Sequence, residues 1–312
     1  MSRFEHILVI VDPSAGGRQS AVDKAALLAQ RLGACVELLI CDIESSRDDD
    51  AASALFVRKT HASNTQLLNL LDELAAPARA AGIDVTARVI YGNSLHDSLL
   101  DYLHGSTADL VVKHTHHHSS ARRVFLRTTD WHLVRGCPMP LLLTKDNAWG
   151  QPPVVMAAVD PVRESAGAAA LNRQILKWGA SLAGGLGGDL HVVHTFVPTA
   201  FAAVVASGAL RMTPEYGDAL QVENSFRCGQ IERLVGACGV RPERLHVEMG
   251  TPGDCLARSV AEYHTDVMVM GGSSHGRWHR MVAGSTASRI LEALPCDVLI
   301  IRPTDDARES PR

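Results

Sequence analysis

The sequence has no surplus of positive charge: 30 lysines and arginines stand against 34 aspartates and glutamates, for a formal net charge of −4. It therefore lacks the basic field that holds a polyphosphate backbone, which argues against nucleic acid as a partner, although a small anion can still bind locally. It also lacks a cysteine framework. Seven cysteines, an odd number at irregular spacing with no C-x-x-C pair, give neither a disulfide set nor a structural zinc site, so reduced and mostly buried thiols are expected. No apolar run approaches the ~18 residues of a membrane span, and the start, MSRFEHILVIVDP, reaches Asp12 too soon for a signal peptide. The expectation is a cytoplasmic protein with no membrane span. A Walker sequence, G-x-x-x-x-G-K-[ST], is absent too, so no lysine is set against β/γ-phosphates with a hydroxyl beside it for Mg²⁺, and efficient ATP turnover is not supported.

What the chain does have is itself, twice. ILVIVDP closes an apolar run on Asp12, and VVMAAVDP closes another on Asp160. TADLVVKH (107–114) answers HTDVMVMG (264–271), and RGCPMPLLLT (135–144) answers EALPCDVLII (292–301). Matched positions stay roughly 150 residues apart throughout, the mark of two copies of one unit in one order. A chain of 312 residues, 46% of them hydrophobic, can fill two ordinary cores.

Short β-rich runs alternate with helical periodicity in both halves. In the second, VVMAAV reads as a buried strand, Leu171, Ile175, Trp178 and Leu182 recur at helical spacing, and DLHVVHTF forms the next strand. A helix around 222–238, the strand RLHVEMG, a helix through Leu256, Val260 and Tyr263, the strand DVMVMG, a helix over 286–294 and the strand CDVLII complete it. The first half has strands near HILVIVD, CVELLICD, VTARVIYG, ADLVVKH and PLLLT. Strand–helix alternation of this kind predicts an α/β fold, two tandem Rossmann-like domains with five-stranded parallel sheets. The domains are expected at 1–147 and 151–306, separated where Gly150 and Pro152-Pro153 interrupt regular structure, with a polar tail at 307–312. Two irregular segments stand out: an acidic stretch at 45–50, read as solvated, and an apolar one at 198–216, which either packs as a short helix or covers a ligand.

Ligands of doubly wound sheets bind at the carboxyl ends of the strands, which draws attention to Asp160 and Gly271. After Gly271 the chain reads GSSHGRWHRMVAGSTASRIL, in which Gly284 precedes Ser285 and Thr286 at a predicted helix start. Glycine admits an anion close to the backbone, and a helix start offers unpaired N–H groups. Ser285 and Thr286 can cap that helix or bond a phosphate oxygen.

On these motifs the chain resembles the universal stress proteins, in particular the tandem-domain E type, over nearly its full length. The family's nucleotide motif is a glycine, two residues, a second glycine, nine residues, then glycine with serine, threonine or asparagine. Here it reads Gly271, Gly272-Ser273, Ser274, nine residues and Gly284-Ser285, with serine at the second glycine. A rival register sets Ser274-His275-Gly276 on the family's serine-histidine-glycine triplet but leaves only seven residues before Gly284. The resemblance implies an adenine nucleotide, ATP or AMP, with Asp160 at the adenine, and Mg²⁺ as a companion the phosphates could bring. Ser274 forced to positive φ would cost on the order of 1–2 kcal/mol, weakening binding roughly five- to thirtyfold. In the first half Asp12 is present, but KHTHHHSSARRVFLRTTDWHL (113–133) contains no glycine, Arg127 stands where Gly284 does, and the TDWHL stretch looks like the first domain of E-type members. That copy reads as degenerate. Lys113, Arg122, Arg123 and Arg127 read as a solvated basic loop or as a site for another anion.

His114, His116, His117 and His118, with His132 or Cys137, form a weak candidate for Zn²⁺ or Ni²⁺, lacking an evident surrounding shell to fix tautomers. His194, at a strand end near the presumed adenine, is a weak ligand candidate. Gly272-Ser273-Ser274-His275-Gly276 imitates the G-x-S-x-G elbow of hydrolases, but the later residues cannot supply acid then histidine in the required order. No catalytic residue is assigned. The function expected is that of a cytoplasmic stress-response protein that binds an adenine nucleotide in its second domain and acts through an unknown protein partner, with occupancy ordering the loop over 272–283. Alternatives are a scaffold with an empty or lipid-like pocket and a weak ATPase. The resemblance further implies an intramolecular pseudo-dimer, with homodimerisation left open.

Overall fold

A computed structural model of the chain describes residues 4–15, 19–43, 64–115, 128–162, 165–198, 214–236, 240–272, 290–291 and 293–302. Its contacts divide it into two units, Arg3–Asp146 and Asn147–Arg312. The first has strands β1 (His6–Ile10), β2 (Cys35–Ile43), β3 (Val85–Gly92), β4 (Leu110–His114) and β5 (Leu141–Thr144), with helices α1 (Ser20–Leu32), α2 (Asn64–Ala80), α3 (Leu95–Gly105) and α4 (Thr128–Gly136) between them. The second has β6 (Val154–Ala158), β7 (Asp189–Phe196), β8 (Leu245–Met249), β9 (Val267–Gly271) and β10 (Asp297–Ile301), with α5 (Ala166–Leu186), α6 (Pro214–Val235) and α7 (Pro252–Glu262).

Every pairing described within a unit is parallel. The order is β3-β2-β1-β4-β5 in the first. It is β8-β7-β6-β9-β10 in the second, the same order element for element. Central strands such as β1 and β9 are nearly continuous apolar runs because helices cover both faces of a parallel sheet, leaving no polar side to alternate with.

The helices begin and end where local chemistry dictates. Ser94, Ser165 and Thr251 each sit in extended backbone and accept from an N–H of the first turn of α3, α5 and α7. Gly33 and Gly187 close α1 and α5 in the left-handed region, at φ 72° and 68°, where a Cβ would be strained. The helix predicted from 222 begins earlier, at Pro214, so the end of the apolar segment belongs to α6. Residues 45–50 and 201–210 lie outside the described residues.

Each copy also tethers its first strand in the same way. Asp109 Oδ2 accepts the N–H groups of Glu5 and His6, at 2.8 and 3.0 Å. Asp266 accepts those of Gly150 and Val154, at 2.9 and 2.8 Å. Trp149, between the last strand of the first unit and β6, is buried and donates its indole N–H to Asp297 Oδ2 at 2.8 Å.

Candidate functional site

In the second unit β6 and β9 are neighbours, yet the chain leaves β6 for β7 on one side and β9 for β10 on the other. That is the topological switch point, where strand ends diverge and leave a crevice at their carboxyl edge. Asp160 stands there, two residues past β6, and is exposed. Its backbone is held from both sides. Its N–H donates to Asn172 Oδ1 at 3.0 Å, and Asn172 Nδ2 donates to its carbonyl at 2.7 Å. Asn172 is a buried residue of α5. The clamp fixes the backbone while the Asp160 carboxylate has no partner among the described residues, so it is an acceptor open to a ligand.

The first unit repeats the clamp and then closes the site. Asp12 N–H donates to Gln19 Oε1 at 3.2 Å, and Gln19 Nε2 returns to the Asp12 carbonyl at 2.8 Å. The Asp12 carboxylate, however, turns onto its own chain: Oδ1 accepts the Ser14 N–H at 2.9 Å and its hydroxyl at 2.6 Å. Such an Asx turn ties one carboxylate oxygen to the chain itself and fixes the orientation of the group. The position matching Ser14 is Val162, which has no hydroxyl to offer Asp160. A second obstruction lies across the same edge. Lys113, near the end of β4, reaches Asp130 Oδ1 in the first turn of α4 at 2.6 Å. Their side chains are 11% and 1% exposed. The contact between the Lys113 ammonium and Asp130 Oδ1 is short enough to carry the charge. Lys113 is therefore a buried structural cation and not part of a solvated loop, which corrects the expectation from sequence. The strand places it inside, and a carboxylate seventeen positions on meets it.

The predicted residues fall into two groups. Asp160 and Gly271 are brought to the same edge of the sheet. Ser274, Gly284, Ser285 and Thr286 lie outside the described residues, as do His116, His117, His118, Arg122, Arg123 and Arg127. Gly271 has a reason of its own to lack a side chain: a Cβ would stand 2.7 Å from Leu171 and 3.4 Å from Ile175, where α5 crosses the sheet. His114, the residue matching Gly271, lies 3.4 Å from Asp146 through Nε2. His132 stacks on His96 at 4.0 Å, and no metal-holding group of three or more His, Cys, Asp or Glu occurs among the described residues.

Sequence reasoning missed Asn172 and Gln19 altogether, and it undervalued His194. His194 on β7 is 3% exposed, with Nδ1 3.0 Å from the carbonyl oxygen of Val159, the residue before Asp160. Its ring lies parallel to Phe196, over which Arg227 of α6 is placed at 5.2 Å. On the opposite face His191 Nδ1 meets His246 Nε2 at 2.9 Å, and His246 stacks on Tyr263 at 4.0 Å. Burial lowers the pKa of all three histidines; His246 and Arg244 reinforce this at His191, while Glu248 and Glu262 oppose it at His246. Each ring binds its proton more weakly folded than unfolded. Their contribution to stability is therefore complete above the unfolded pKa of about 6.5 and is lost as pH falls below it, because the unfolded chain takes up protons first. Urea unfolding followed from pH 7.5 to 5.5 is expected to lose on the order of 1–2 kcal/mol, and a constant midpoint would mean that the rings titrate normally.

The profile described as "Universal stress protein family" matches residues 3–145 and again 155–302. The chain belongs to the universal stress protein family. Among curated proteins it is similar to Universal stress protein E of Escherichia coli K12, 24% identical over 307 residues that cover 97% of this chain and 95% of that one. It is likewise similar to a Universal stress protein E homolog of Haemophilus influenzae, 24% identical over 317 residues, covering 97% and 98%. In fold it is similar to a functionally unknown protein of Pseudomonas aeruginosa PAO1, with a TM-score of 0.68 at 22% identity over 98% of this chain and 95% of that one. A universal stress protein from Archaeoglobus fulgidus DSM 4304 gives 0.64 at 16% identity over 98% and 100%. As in the described structure, the universal stress match occurs twice, and each matched segment carries one copy of the clamped aspartate. No helix among the described residues is long and apolar enough to cross a membrane.

Proposed function

We propose that this universal stress protein binds an adenine nucleotide, ATP or AMP, in its second unit, and that it acts in the cytoplasm through ligand-dependent contact with a protein partner and not through catalysis. Asp160 receives the base, and Gly271, Ser274, Gly284, Ser285 and Thr286 form the phosphate side. One observation carries this: the Asp160 backbone is fixed by two hydrogen bonds from a buried asparagine while its carboxylate remains exposed and unpartnered among the described residues. A rigid, open acceptor at a switch point is the arrangement a ligand site needs. The matching Asp12 has the same rigid backbone but a carboxylate bound to Ser14 through one oxygen, and the buried Lys113–Asp130 pair crosses the same edge, so the first unit is assigned no nucleotide.

The test is native mass spectrometry of freshly purified protein, followed by calorimetric titration with ATP and AMP. Retention or uptake of one nucleotide per chain is expected. Gly284→Arg, which copies the residue at the matching position 127, is expected to weaken it by more than about tenfold, since a guanidinium side chain fills space the backbone must leave to a phosphate. Unchanged binding by that variant would move the site elsewhere. A retained lipid with no nucleotide uptake would favour the scaffold alternative, and phosphate release that depends on Gly284 would favour the weak ATPase.

A further inference from the structure

His194 holds one polar atom that has no hydrogen-bond partner among the described residues. Its Nδ1 faces the Val159 carbonyl oxygen, which can only accept, so Nδ1 carries the ring hydrogen. Burial keeps the ring neutral at pH 7, outweighing the Val159 hydrogen bond and the charge of Asp160, which act the other way. Nε2 is then a bare lone pair, and it is buried without a hydrogen-bond partner among the described residues. An acceptor shielded from water and left unpaired is unfavourable, and such atoms in native proteins are few. This one sits on the strand beside β6, on a ring anchored to the residue that precedes Asp160.

We infer that His194 Nε2 is a base-reading acceptor, which takes a hydrogen bond from the exocyclic amine of a 6-aminopurine and so favours adenine over 6-oxopurines at this crevice. The inference rests on the adenine-nucleotide reading above and adds to it the residue that selects the base. The chemistry is directional. A 6-amino group is a donor and satisfies the lone pair, whereas a 6-oxo group is an acceptor, so the two would face each other unpaired and desolvated. The Val159 carbonyl prevents the ring from adapting, because moving its hydrogen to Nε2 to suit an oxopurine would strand that carbonyl. Admission of the base requires the side chains over Nε2 to turn, a scale of change common on binding.

Titrating the wild-type protein with ATP and with inosine 5′-triphosphate tests the inference without any mutation, since the two differ at the 6-position group and its ring hydrogen. ATP is expected to bind about 10- to 100-fold more tightly. His194→Phe, which keeps a flat ring beside Phe196, is expected to bring the two within about threefold by weakening ATP. Equal affinities in the wild type, or a preference that survives in His194→Phe, would overturn the role of His194 and leave the nucleotide site standing. Absence of binding by either triphosphate would remove the site itself and the inference with it. Should His194→Phe fail to fold, ¹⁵N spectra of the wild-type histidines decide: the His194 Nε2 resonance should shift on adding ATP and not on adding the inosine nucleotide, and an unmoved resonance overturns the inference.

Discussion

Lys113→Met is expected to destabilise the first unit by about 3–5 kcal/mol, the usual cost of removing one partner of a buried ion pair. The Asp130 side chain is almost fully enclosed, and its ammonium partner stands 2.6 Å away. Removing the lysine leaves the charge of a carboxylate in a place that water does not reach, whatever other contacts Asp130 keeps. A drop in melting temperature of about 10 °C is expected for a unit of this size, read by calorimetry at pH 7. The double replacement Lys113→Met with Asp130→Leu should recover most of the loss, because two apolar side chains carry no desolvation penalty. A single-variant loss below about 1 kcal/mol would show that the pair behaves as an exposed one. The pair spans the edge of the first sheet from β4 to the start of α4.

Much of the architecture was legible in the sequence, because parallel sheets buried on both faces write themselves as apolar runs, and the runs recur in order. Asp12 and Asp160 were legible for the same reason, since each ends such a run. The amide clamps were not. Gln19 follows its aspartate by seven residues and Asn172 by twelve, so no common spacing announces them, and only the folded helices α1 and α5 bring them to the same atoms. Lys113 was misplaced because its charge groups it with Arg122, Arg123 and Arg127, although it stands in the strand ADLVVKH, which turns it inward. At Gly271 packing against Leu171 already excludes a side chain, a constraint that the motif alone does not reveal.

One difference between the two copies is a single hydroxyl, and that makes it testable by a graft. Val162→Ser is expected to let Asp160 close on its own chain as Asp12 closes on Ser14, with N–H and hydroxyl both bonded to one carboxylate oxygen. ATP affinity should fall about tenfold, since the ligand must now displace two hydrogen bonds within the protein. Asp160→Ala should cost at least as much by removing the acceptor. Asp12→Ala should leave ATP affinity unchanged while lowering the stability of the first unit by about 1 kcal/mol through loss of the turn. Calorimetric titration of the three variants separates the cases: equal losses at positions 12 and 160 would mean that the carboxylates are structural in both units, and a Val162→Ser variant with wild-type affinity would mean that an open carboxylate is not what distinguishes the second unit. Ser14→Val, the reverse graft, should not create a second site. Freeing the Asp12 carboxylate leaves Lys113 and Asp130 bound to each other across the same edge, and a ligand would have to part a buried charge pair to enter.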